Sequence, residues 1–591
     1  MIPFVSTTET RLQGIGVSPG IAIGPAERLG KTLEEPENLA IDKGKVPAEK
    51  DRLSRALGTT REQILALQGE IESSEGESHS AIFDAHLLIL EDSAVINEVM
   101  RITDTQLISI EWAYYSVVKR YIDSLRKIAD PYLRERAVDI EDVAKRVLRN
   151  LRTEAGDGSD ARPLQPATRI LLAHDFTPSD TVSLDRTRVL GFATEIGSPT
   201  SHTAIMARSL NIPAVVALHD IPGTFSAGDT VLIDGYHGLV ILNPTEATIA
   251  EYASILEREK SVLTDLEALK NEETLTADGR KIILSANIEF VEELEGVTDR
   301  GAEGVGLYRT EFFYLSRKEL RSEENQAANY RKVAEATAPH GVIIRTLDIG
   351  GDKLRPELFE NPEPNPFLGW RGIRLSLDEV EEFRLQLRAI LRASAYGKVR
   401  IMFPFISTLE ELQGARVQLE MAKEELKAQR IPYDDKIEVG AMIEIPSAVM
   451  IADHLAREVD FFSIGTNDLV QYSTAVDRIN DRVAHLYQPY HPAVIAMIRE
   501  TVEAAHRNGI WCGICGEVAS DILMAPIWIG LGVDELSVGA AQLLRARRAI
   551  SRLDSTVCRE MTERLRTCGT SASVRAQCLE IASGAYPELL L

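Results

Sequence analysis

From Leu275 onward the chain repeats one pattern eight times, a short apolar run followed by a helical stretch. The runs are KIILSANI, GVGLYRT, VIIRTLDI, VRIMFPF, VGAMIEIP, DFFSIGTND, WCGICGE and DELSVG. Short apolar runs suit strands covered on both faces, and strands that alternate with helices pair in parallel. Eight such units over about 300 residues predict a (β/α)₈ barrel for residues 272–591.

A barrel accounts for only half of a 591-residue chain, so further domains are expected. Residues 14–29, GIGVSPGIAIGPAERL, are punctuated by glycine and read as short strands. From Pro47 to about Arg152 the spacing is helical, and after EAGDGSDARP strand-like runs return in RILLAHDF, RVLGFATEI, AVVALHD and DTVLIDGYHGLVILNP. The expected fold class is therefore multidomain α/β. Residues 1–46 and 153–244 form one discontinuous α/β domain, 47–152 a helical insert, and 245–271 a linker helix. The tail after about Asp554 carries no readable motif.

A net charge of −25 disfavours nucleic acid as a partner and favours a basic protein. No run of eighteen apolar residues occurs, and the start, MIPFVSTTETRLQG, lacks the pattern of a signal peptide, so a cytoplasmic protein without membrane insertion is expected. All five cysteines fall between Cys512 and Cys578, which suits a reducing compartment. Cys512 and Cys515 form a CxxC with no second close pair, so no structural zinc is expected.

Active sites of such barrels lie at the C-terminal ends of the strands. There the sequence places Arg309 after the second run, Arg345 and Asp348 at the third, Glu444 at the fifth, Asn467 and Asp468 at the sixth, and Cys515 with Glu517 at the seventh. With Arg478 just beyond the sixth run, three arginines could hold a phosphorylated acid by charge-assisted bonds. Glu444 and Asp468 would leave Mg²⁺ its remaining positions for water and substrate. Outside the barrel, His202 follows a Gly-Ser-Pro turn in GSPTSHTAIMAR and opens a helical stretch, where free N–H groups favour an attached phosphate. Its neutral imidazole is a competent nucleophile.

The strings DFFSIGTNDLVQYSTAVDR, residues 460–478, and TSHTAIMARSLNIPAVV around His202 resemble phosphoenolpyruvate-protein phosphotransferase, enzyme I of the bacterial sugar phosphotransferase system. The likeness runs in order from about Gly14 to Leu553 through GVGLYRTEFFYL, IIRTLDIGGDK, NPFLGWRGIR, MIEIP and GICGE. It implies a swivelling phosphohistidine domain with His202 phosphorylated on the tele nitrogen. Arg309, Arg345 and Arg478 would hold the substrate phosphate, Asn467 and Asp468 would help place phosphoenolpyruvate, and Arg371 would join the same pocket. Glu444 and Asp468 would ligate Mg²⁺. Cys515 would protonate the enolpyruvate carbon, releasing pyruvate.

The same resemblance makes the helical insert a dock for the carrier HPr, offering Glu72, Glu75, Glu77 and Asp84 beside Phe83, Leu87 and Leu88. It also implies a homodimer formed through the barrel, and a large reorientation of the His202 domain about the linker helix. Two positions depart from the family pattern. Ser198 and Pro199 stand where the best-known members carry glycine and arginine, and Cys512 is unusual beside Cys515, which leaves open a redox-sensitive thiol pair or, the favoured reading, no role. Pyruvate-phosphate dikinase and phosphoenolpyruvate synthase share the histidine and the barrel, but they need an ATP-grasp domain for which this chain has no spare stretch.

Overall fold

The computed structural model describes residues 9–590 except 30–32, 34, 75–82, 84–85, 127–130, 155–167, 175, 177–187, 198–206, 208–211, 219–220, 222–227, 312, 314–320, 351–364, 479 and 481. It divides into two compact units, Met1–Glu257 and Arg258–Leu591, with the division inside the helix Glu246–Glu267.

The first unit is built on an eight-stranded sheet. Its strands are β1 (Thr10–Gln13), β2 (Ile15–Ser18), β3 (Ile21–Leu29), β4 (Arg169–Ala173), β5 (Val189–Thr194), β6 (Ala214–Val216), β7 (Thr230–Asp234) and β8 (Leu239–Leu242), in the spatial order β1-β8-β7-β3-β4-β5-β6-β2. Strand β3 serves two neighbours: Ile21–Pro25 pairs antiparallel with β7, and Ala26–Leu29 pairs parallel with β4. The parallel strands β4, β5 and β6 bury nearly every residue, as continuous apolar runs require. Strands β7 and β8 form a hairpin whose turn is set by Asp234, which accepts the N–H groups of Tyr236 and His237. His202, Ser198 and Pro199 lie outside the described residues, between β5 and β6.

The insert carries the helices Val46–Ser74, Ser93–Gln106, Ile110–Arg126 and Pro131–Glu154 around a core that includes Leu53, Val117, Val147 and Phe83. Phe83 is fully buried, edge-on to the ring of His86. It therefore belongs to the core and not to the docking face expected for it; Leu88, 74% exposed, faces outward. The side chains of Glu72, Glu75, Glu77 and Asp84 lie outside the described residues.

All eight barrel strands read from the sequence form in the second unit: β9 (Ile283–Ile288), β10 (Val305–Tyr308), β11 (Val342–Arg345), β12 (Val399–Phe403), β13 (Glu438–Ile443), β14 (Phe461–Gly465), β15 (Trp511–Cys515) and β16 (Glu535–Gly539). Each pairs in parallel with the next, and β16 closes the barrel on β9 with Ser537 opposite Ser285. Leu307, Ile343, Met402, Met442, Phe461 and Cys515 cluster inside, while a larger core joins the outer strand faces to the helices. Beyond Glu267 the chain is tied to the barrel by buried Arg547, which donates to the carbonyl oxygens of Leu269 and Lys270 at 2.9 and 2.7 Å.

The tail folds as two more helices, Ser555–Leu565 and Ser571–Ala585, which bury Cys558, Met561, Val574 and Cys578. Their approach is close: a Cβ on Gly530 would stand 2.3 Å from the carbonyl oxygen of Cys558. Among the described residues, no helix is long and apolar enough to cross a membrane.

Candidate active site at the C-terminal end of the barrel

A closed parallel barrel gathers its strand ends on one face. Arg345 ends β11 and Cys515 ends β15, Arg309 and Glu444 directly follow β10 and β13, and Asn467 and Asp468 stand in the first turn of the helix Thr466–Thr474 that follows β14. Most of these side chains are linked. Arg345, 5% exposed, donates to Glu311 at 2.7 Å and pairs with Asp348 at 3.2 Å. Arg371, 2% exposed, reaches Asp348 at 3.1 and 3.2 Å, Asp468 at 2.7 and 3.4 Å, and the Tyr472 hydroxyl at 3.1 Å. All three nitrogens of its guanidinium are thus engaged, and the group lies 4.8 Å from the Phe405 ring centre.

The backbone bends to make this possible. Gly350, at φ +137°, clears Arg371, whose Cβ would otherwise be 2.4 Å from an added Cβ. Phe405 adopts φ 59°, in the left-handed region, and its N–H donates to Glu444 Oε1 at 2.7 Å. Asn467 joins two strand ends by accepting the N–H of Glu517 at 3.1 Å, and Thr466 does the same by donating to the Cys515 carbonyl at 3.0 Å. Arg309 is ion-paired with Glu289 at the rim, and the Arg478 N–H donates to Gln471.

Burial pushes the Glu444 carboxyl up from 4.5 to about 8, and the charges of Asp468 and Asp348 push the same way, against Arg371 and Arg345. Burial likewise pushes the Cys515 thiol up to about 11, against the Ser463 hydroxyl and Arg345. In Arg345 and Arg371 burial works against the charge, but the carboxylates around them outweigh it and the guanidinium pKa is raised. This predicts a pH dependence of stability. Between 4.5 and about 8 the folded protein keeps a proton on Glu444 that the unfolded chain has released, so metal-free protein should lose stability as pH rises through that range. Denaturant melts at pH 5 and pH 8 check this, and Glu444→Gln should flatten the difference.

Cys512 and Cys515 fall on opposite faces of β15, Cys512 in the outer core and Cys515 inside the barrel. Three strand steps separate their Cα atoms by roughly 10 Å, too far for a disulfide without unfolding the strand. The constellation thus brings together Arg345, Arg371, Glu444, Asn467, Asp468 and Cys515, with Arg309 and Arg478 following β10 and the helix Thr466–Thr474. His202 belongs to the other unit and lies outside the described residues. The sequence reading gave no part to Glu311, Phe405, Ser463 or Tyr472. Glu311 stood closest to detection, two residues after Arg309 in the same motif.

Three family models match the chain: PEP-utilising enzyme, N-terminal, at residues 13–136; PEP-utilising enzyme, mobile domain, at 165–238; and PEP-utilising enzyme, PEP-binding domain, at 264–555. Among curated proteins it is similar to the phosphoenolpyruvate-protein phosphotransferase of Staphylococcus carnosus, 43% identical over 95% of this chain and 98% of that one. The proteins of that name from Geobacillus stearothermophilus and Bacillus subtilis are 44% and 43% identical, each over 96% of this chain and 97% and 98% of theirs.

Proposed function

The chain belongs to the phosphoenolpyruvate-protein phosphotransferase family, and from that premise we propose how its residues divide the work. The phosphoryl group of phosphoenolpyruvate passes to the tele nitrogen of His202, and from there to a histidine of the carrier HPr. This is the first step of the sugar phosphotransferase system. A cytoplasmic location and dimerisation through the barrel accompany the reading and rest on family membership alone.

The observation that carries the barrel's part is the buried set of alternating charges at its C-terminal end, with a thiol beside it. Arg309, Arg345 and Arg478 take the trianionic substrate, while Asn467 fixes the loops that frame it. Arg371 is spent on Asp348 and Asp468, so within the substrate pocket it sets the acids in place. As the P–O bond breaks and the N–P bond forms, an enolate remains. Cys515 gives its proton to the enolate carbon, and the ketone that results makes the step downhill.

The donor set fits a divalent cation. Two hard oxygen ligands, Glu444 and Asp468, repel one another in a buried site, and Glu444 Oε2 lies where glycine at 465 leaves room, 2.5 Å from a Cβ position. Bound Mg²⁺ would supply positive charge to the phosphate and enolate oxygens. Among the described residues no three His, Cys, Asp or Glu side chains form a metal-holding group, so water and substrate would complete its shell.

The test is incubation with radiolabelled phosphoenolpyruvate, with and without an HPr-type carrier. Label should stop on this chain when the carrier is absent and pass on when it is present. Label that reaches the carrier without ever residing on this chain would reject the relay.

A further inference from the structure

Among the described residues the Cys515 thiol has two hydrogen-bond partners, and both come from β14. The Ser463 hydroxyl donates to Sγ at 3.2 Å, and the thiol itself points to the carbonyl oxygen of Ile464 at 3.6 Å. Ser463 is 3% exposed and Cys515 1%. Side chains of alternate residues enter the barrel, so Ser463 and Cys515 share the interior. The register explains their contact. Ser463 pairs with Gly513 and Gly465 with Cys515, so the residue opposite Ser463 has no side chain and the hydroxyl can lean along the strand to the sulfur.

We propose that Ser463 is a positioning residue for proton delivery, one that orients the Cys515 thiol and holds the sulfur charge that appears when the proton leaves. The proposal rests on the reading of Cys515 as the proton donor. In that step the S–H bond breaks, the proton forms a C–H bond at the enolate carbon, and the electron pair stays on sulfur. The thiolate is reprotonated from water after pyruvate departs. A hydroxyl bonds a charged sulfur more strongly than a neutral one, so the contact gains strength during the step.

The charges of Arg345 and Arg309 pull the thiol down while that of Glu444 pushes it up, so they partly offset one another. Ser463 is the neighbour whose hydrogen bond lowers the thiol against the burial that raises it. A buried serine that merely satisfied its own hydroxyl would use any carbonyl within reach; this one is spent on the sulfur.

The experiment uses the full-length protein with phosphoenolpyruvate and carrier, and follows pyruvate formation in H₂O and D₂O. Ser463→Ala should lower kcat roughly ten- to hundredfold, the value of one hydrogen bond to a charged group. KM for phosphoenolpyruvate should stay unchanged, and the solvent isotope effect should rise as proton delivery becomes limiting. Ser463→Thr should recover much of the rate. In a Cys515→Ala background, Ser463→Ala should have no further effect, because the sulfur it serves is gone.

An equal loss in both backgrounds, or a loss without a change in isotope effect, would overturn the proposal and make Ser463 a packing residue. Should Cys515→Ala alone form pyruvate at the wild-type rate, the donor assignment itself fails, which is a separate result.

Discussion

A His202→Ala variant should acquire no covalent label from phosphoenolpyruvate, whatever the metal or carrier supplied. An attached phosphoryl dianion is disfavoured beside a carboxylate and favoured by nearby N–H donors. His174, His237 and His506 each have a carboxylate of Glu195, Asp234 or Asp534 within 2.9 Å. His86 is buried near Asp139 and Asp142 in the helical insert, and the His491 ring accepts the N–H of Ala493 at a helix start. His202 stands instead in TSHTAIMAR, where a helix N-terminus would favour the anion. The measurement is radiolabel retained after denaturation. Full retention by the variant would place the acceptor elsewhere and dismantle the relay.

Arg371→Met should be nearly as severe, and for a reason that separates positioning from substrate contact. Removing one partner from a buried ion cluster leaves its acids uncompensated, at a cost of about 3–5 kcal/mol. The acids here are Asp348, 1% exposed, and Asp468, 5% exposed. Denaturant melts at neutral pH should show the variant less stable by that amount, with pyruvate formation falling by two orders of magnitude or more, about the value of misplacing the reacting groups. Wild-type stability with only a raised KM would instead make Arg371 a plain substrate contact.

The barrel could be read from the sequence because its strands are covered on both faces, so that VRIMFPF and DFFSIGTND stay apolar without alternation. The candidate site could be read because polar residues at strand ends stand out against such runs. What a single sequence does not carry is register. That Ser463 faces Gly513 and thereby reaches Cys515 depends on how β14 slides against β15, and that Arg371 spans Asp348 and Asp468 depends on the segment after β11 meeting the helix that follows β14.

Phe83 is a different case. Phe83, His86 and Leu90 recur at helical spacing and all are buried, so the periodicity that sets them on the inner face was present in the sequence. The tail also carried signals, with Asp554 as a helix cap and Cys558, Met561 and Leu565 on one face, that a search for catalytic motifs passes over.

Closure of the barrel by its first and last strands has a consequence during synthesis. Ser285 and Glu535, hydrogen-bonded in the closed barrel, are 250 residues apart in sequence. As the chain leaves the ribosome, β9 emerges early and has one free edge until β16 arrives. The sheet of the first unit is complete much sooner, once β8 has paired with β1 and β7. At about 5–20 residues per second the interval from β8 to β16 lasts roughly fifteen seconds to a minute. For that time the nascent chain carries a finished first sheet and an open, apolar half-barrel with exposed strand edges, and it is in the half-barrel that nascent-chain aggregation and chaperone capture should concentrate.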